Sequence, residues 1–106
     1  MKKVIMAAAF TLASFSTTSA LAGDVAAGET KYNQVCASCH GNKGSAPIMP
    51  TYPKLAGQNA AYLELAIKSY KDGQRTSPNA AAMTAMAAML ATEDDIKNVA
   101  AYLAAQ

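Results

Sequence analysis

Tryptophan is absent from the 106 residues, and both phenylalanines, Phe10 and Phe15, fall near the start. The rest of the chain must build its interior from alanine, methionine, a few aliphatics and five tyrosines. Alanine buries little area, and a domain this small encloses a limited share of its surface in any case. Such a chain needs a staple or a non-protein filler. Histidine occurs once, at His40, and cysteine twice, at Cys36 and Cys39. That set is too small for a four-ligand zinc site. One histidine and scattered carboxylates make no acid–base constellation, so the chain does not read as an enzyme in its own right. Net basic charge is also missing where it would matter. Lys2 and Lys3 supply the whole formal excess of +2, and the charges beyond Ala22 balance. No basic face for nucleic acid is expected. No apolar run after the N-terminal one is long enough to span a bilayer.

The N-terminus has three parts. Lys2 and Lys3 form a positive start, Val4 to Phe15 is apolar, and Ser16 to Ala22 turns small and polar, ending in Ala20-Leu21-Ala22. This is the pattern of a cleaved secretory signal. An uncleaved anchor is the alternative; Thr11, Ser14 and the Ser16–Ser19 run dilute the apolarity and speak against it. The expected organisation is a signal peptide over 1–22, cleaved near Ala22, and one domain over 23–106. The expected location is the periplasm, with nothing embedded in the membrane after cleavage.

Periodicity in the domain is helical throughout, and no alternating strand pattern occurs. A first helix is predicted from about Asp24, a suitable N-cap, to Val35, with Val25, Gly28, Tyr32 and Val35 on one face. A second begins after Asn59. Leu63, Ala66, Ile67 and Tyr70 follow at i, i+3, i+4 and i+7, and Gly73 stands where a helix stop belongs. A third, rich in alanine and methionine, covers Asn79 to Leu90. A fourth starts at Thr92, with Asp95 in the capping-box position and Ile96, Val99, Ala100 and Leu103 on one face. Between Gly41 and Gly57 runs a loop containing Pro47, Pro50 and Pro53. The expected fold is all-α, about four helices around a long Gly/Pro loop.

Cys36-Ala37-Ser38-Cys39-His40 is a C-x-x-C-H motif, the pattern of c-type haem attachment. Two thiols three positions apart can each add to one haem vinyl group, and the adjacent imidazole then meets the iron. A structural disulfide is the competing reading in an oxidising compartment. A thioredoxin-like redox pair would need a βαβ context that is missing. A haem staple also answers the thin core. With His40 as proximal ligand, the sixth position falls to methionine, lysine, water or nothing. Met49, Met83, Met86 and Met89 are available, although the last three recur at a spacing that equally suits a packing stripe.

These residues resemble the small bacterial class I cytochromes c of the c-553 type, and single domains of the duplicated c-4 type. The resemblance runs through Gly23-Asp24, Ala26-Ala27-Gly28, Cys36 to Gly41, and Tyr52-Pro53-Lys54-Leu55-Ala56-Gly57-Gln58. It continues through Tyr62-Leu63, Asp72-Gly73-Gln74-Arg75, Met83-Thr84-Ala85-Met86 and Asp95 to Leu103. It implies one covalent haem c on Cys36 and Cys39, ligated by His40, with the Pro47 carbonyl orienting the imidazole. It implies a close helix crossing of Gly28 against Tyr102. Met83 matches the distal ligand, with Met86 as runner-up because Ala91 intervenes between Leu90 and the cap at Thr92. Arg75, Tyr52 and Tyr70 are candidates for the haem edge. The implied function is one-electron transfer between redox proteins, such as a membrane-bound reductase or a terminal oxidase. An electron-input subunit of a larger redox enzyme is the alternative, and a gas-binding haem protein a more distant one.

Overall fold

The computed structural model describes residues 23–106. The expected signal segment lies outside them. Helix α1 spans Val25–Val35, α2 Ala37–His40, α3 Ala60–Lys71, α4 Ala80–Ala88 and α5 Glu93–Ala104, with a 3-10 turn at Asn42–Gly44 between α2 and α3. The described residues contain no strand.

The helix ends obey local chemistry. Asp24 stands in extended backbone, and its carboxylate accepts from the Ala26 and Ala27 N–H groups at 2.9 and 3.2 Å. Thr92 and Asp95 form the full capping box: Asp95 N–H donates to Thr92 Oγ1 at 3.1 Å and Thr92 N–H to Asp95 Oδ2 at 3.4 Å. At the end of α3, Gly73 adopts φ +71°. Its N–H reaches Tyr70 O at 3.0 Å while the Gln74 N–H reaches Ser69 O at 2.9 Å, a Schellman stop. Asn59 precedes α3 but its side chain makes no capping bond. Helix α4 stops at Ala88, short of Leu90, because the Met89 and Leu90 N–H groups tighten onto Met86 O and Ala87 O at 3.0 Å each. Helix α2 and the 3-10 turn escape a periodicity reading because so few residues cannot repeat.

The core is the crossing of α1 and α5. A Cβ on Gly28 would lie 1.9 Å from Asn98 O and 2.9 Å from Tyr102 Cβ. Only glycine permits this approach, as expected from the sequence. One turn on, the Tyr32 and Tyr102 rings meet with centroids 5.4 Å apart, tilted at 46°. Ile96, Val99, Ala100 and Leu103 are all buried against this pair, together with Val35, Leu63 and Leu90. Val25 is different. It was expected on the inner face of α1 but is exposed, because the first-turn contact with α5 is made by backbone: Gly23 lies against Lys97 and Asn98, and the Asp24 N–H donates to Asn98 Oδ1 at 2.8 Å. The apolar stripe of α3 forms as read, with Leu63 fully in the protein core and Ile67 packed against it; Ala66, Ile67 and Tyr70 stand half-buried along a cavity.

Candidate functional site

Cys36, Cys39 and His40 are gathered by one turn. Cys36 closes α1 by donating its N–H to Tyr32 O at 2.8 Å, and its own carbonyl accepts from Cys39 N–H at 3.3 Å and His40 N–H at 3.0 Å. Residues three apart on such a turn share a face. Both thiols are free and half-buried. Burial pushes the Cys36 thiol up to about 11, with Cys39 beside it adding to the effect. A thiol held neutral in this way is a poor redox nucleophile, which speaks against a thioredoxin-like pair.

His40 is buried, and its Nδ1 lies 3.0 Å from Pro53 O. A carbonyl accepts only, so Nδ1 carries the proton and Nε2 keeps its lone pair for a ligand. The family resemblance implies this role for Pro47; the structure gives it to Pro53 instead. The reason is how tightly the chain folds after the motif. The Ile48 N–H donates to Cys39 O at 3.0 Å, and Gly41, at φ +80°, runs so close to Ala46 that a Cβ would sit 2.0 Å from its carbonyl oxygen. Pro47 is thus consumed in a return loop beneath the motif. The chain meets the imidazole only at Tyr52-Pro53, where the Tyr52 ring also stands 6.2 Å from that of His40. Gly44 O then fastens this stretch by accepting from Leu55 N–H at 2.8 Å and Ala56 N–H at 3.2 Å. Pro53 opens the Pro-Lys-Leu-Ala-Gly-Gln string, so the signal was present, but loop closure cannot be read from spacing.

The motif forms part of the wall of a cavity of about 780 Å³. Leu63, Ala66, Ile67 and Tyr70 of α3 line it, as do Met83 and Met86 of α4 and the buried Leu90, Val99 and Leu103. Met83 is half-buried and Met86 is 38% exposed. Met49 lines the cavity from the loop; Met89 does not reach it and is 55% exposed. The three helical methionines are therefore no packing stripe. The packed side of α4 is made of Ala80 and Ala87. The charged residues on the lining are the cations Lys54 and Arg75, with no carboxylate. Arg75 is held by Tyr70: Nη1 donates to its hydroxyl at 3.2 Å and Cζ lies 4.8 Å from the ring centroid. The donor set fits haem. Two thiols adjoin an imidazole with a free Nε2, thioethers line the same space, the walls suit an apolar macrocycle, and Lys54 and Arg75 suit its carboxylates.

A family model described as "Cytochrome C oxidase, cbb3-type, subunit III" matches residues 23–103. The chain belongs to this family of c-type cytochromes. The cytochrome is 53% identical to cytochrome c-554(548) of Halomonas halodenitrificans over 80% of its own length and 99% of that protein's. It is 44% identical to cytochrome c4 of Pseudomonas aeruginosa over 80% of its length, spanning only 39% of that longer protein. A thiosulfate dehydrogenase electron acceptor of Thiomonas intermedia is 39% identical over 67% of the cytochrome and 32% of the relative. The all-helical fold is that of the class I cytochromes, and the cytochrome is a haem c electron-transfer protein with one covalent haem. Among the described residues no helix is long and apolar enough to cross a membrane.

Proposed function

We propose that the cytochrome is an exported one-electron carrier, with haem joined through thioethers at Cys36 and Cys39 and its iron held by His40 Nε2 and the Met83 sulfur. When bound, the haem supplies the Fe(II)/Fe(III) couple. The observation that carries the reading is the Nδ1 bond of His40 to Pro53 O at 3.0 Å, which orients the imidazole and leaves Nε2 toward a cavity that Met83 also lines. A thioether is a soft ligand that favours the reduced ion, and a His/Met pair raises the potential relative to more basic ligation. Both iron faces would be filled, which leaves no position for substrate or gas. Arg75 and Lys54 would meet the haem carboxylates, with Tyr70 fixing the guanidinium.

The three-part N-terminus supports removal of residues 1–22 and a periplasmic location. Redox proteins such as a membrane-bound reductase or a terminal oxidase are the proposed partners. The relative named as an electron acceptor for thiosulfate dehydrogenase supports a carrier fed by an enzyme. The oxidase-subunit description of the family favours a second reading, an electron-input subunit of a larger complex. Purification of the native protein from its source separates these: a carrier elutes alone, a subunit with its enzyme. The proposal itself is tested by the intact mass of exported protein after acid–acetone extraction. Retention of one haem on a chain starting near Gly23 is expected; a bare chain, or one short of two hydrogens for a disulfide, overturns it.

A further inference from the structure

Helix α3 grips the junction of α4 and α5 with two lysines. Lys71, its last residue, donates from Nζ to Leu90 O at 2.7 Å and to Ala91 O at 3.4 Å. One turn earlier, Lys68 pairs with Glu93 in the first turn of α5. The two contacts differ in depth. Both lysines are half-buried, but Lys68 meets the exposed Glu93, whereas Lys71 engages the backbone of Leu90, which is 1% exposed and lines the haem cavity.

Helix α4 packs against α3 through small side chains. Asn79 offers its N-terminus no side-chain cap, and the residues it buries are alanines, which supply little contact area. The lysine's acceptors, Leu90 O and Ala91 O, lie just past the C-terminus of α4 at Ala88, where the negative end of the helix dipole favours a cation. The extra residue Ala91, by which this chain departs from the spacing of the family it resembles, is one of the two the lysine holds. Leu90 is thus the fixed point from which α4 runs back to Met86 and Met83.

We infer that Lys71 is a positioning residue for the distal methionine. Its grip on Leu90 and Ala91 holds α4 at the distance from α3 at which the thioether reaches the iron. This rests on the methionine ligation proposed above.

The test uses the ferric holoprotein and imidazole as the competing ligand, followed by stopped-flow absorbance. Wild type should show the weak near-infrared band of sulfur–iron bonding and bind imidazole slowly, because the methionine must leave first. Lys71→Met should speed that reaction about tenfold or more, the change expected when a charged hydrogen bond is lost from the closed state. Lys71→Arg, which keeps charge and donors, should stay near wild type. Lys68→Met, which loses only the surface pair, should also stay near wild type. If Lys71→Met yields no holoprotein, Lys71→Gln is read in its place, and a rate above wild type and above Lys68→Met is required. Equal rates in wild type and the Lys71 variant overturn the lysine's role while leaving ligation intact. Equal acceleration by Lys68→Met also overturns it, since general loosening then explains the effect. A wild type without the sulfur band overturns the ligation reading and this inference with it.

Discussion

Tyr32 donates its phenolic proton to Gly41 O across 2.7 Å. The bond joins the middle of α1 to the residue just after the C-x-x-C-H motif, so the core tyrosine also closes the haem-binding turn. Replacing it with phenylalanine keeps the ring against Tyr102 and strands the carbonyl, at a cost of about 1–3 kcal/mol. Burial pushes the Tyr32 phenol up to about 12 from an ordinary 10. Above pH 10 the unfolded chain therefore releases this proton before the folded one. Its contribution is fully present below pH 10 and lost as pH rises toward 12. Denaturant titrations of the holoprotein at pH 8 and pH 11 should show Tyr32→Phe less stable than wild type at pH 8, with a smaller further loss at pH 11. Equal losses in both would remove Tyr32 from the alkaline response.

The distal ligand is open to direct test. Met83 and Met86 both line the cavity, but Met83 is the more buried. Met83→Ala is expected to abolish the near-infrared sulfur–iron band, and Met86→Ala to retain it. The opposite result would mean that Ala91 shifts the ligand by one helical turn.

Gly28→Ala should be costly for a single methyl. Its Cβ would lie 1.9 Å from the Asn98 carbonyl oxygen, which is backbone and cannot swing away. The helices must separate, with a loss of roughly 1–3 kcal/mol or more. Thermal unfolding of the holoprotein measures it; a melting temperature within a degree of wild type would show that the crossing tolerates a side chain.

Folding and haem attachment should be coupled. The residues around the cavity bury little apolar area against one another, so without haem their burial does not offset chain entropy. Cys36→Ser/Cys39→Ser, exported without haem, is expected to lack most of the helical signal in far-ultraviolet circular dichroism. A cooperative transition at native helix content would show that α1 and α5 suffice.

The features legible in the sequence are local. Asp24, Gly73 and the Thr92–Asp95 box mark helix ends because capping involves atoms only a few residues apart. The haem motif is legible for the same reason, as its spacing is built into one turn. The inward face of α5 was legible because a single strong stripe has only one way to be buried. The remaining features depend on how distant segments pack. Pro53 instead of Pro47 orients His40 because the return loop after Gly41 uses up the nearer proline, and loop closure depends on backbone contacts that spacing does not encode. Past Leu63 the stripe of α3 lines a cavity at the edge of the protein core, and the methionines of α4 line that cavity or reach solvent instead of filling a core. Periodicity identifies a face, whereas what it meets depends on where the other helices stand. Lys71 carried no sequence signal, because a lysine at a helix end reads as surface until a distant pair of carbonyls is folded against it.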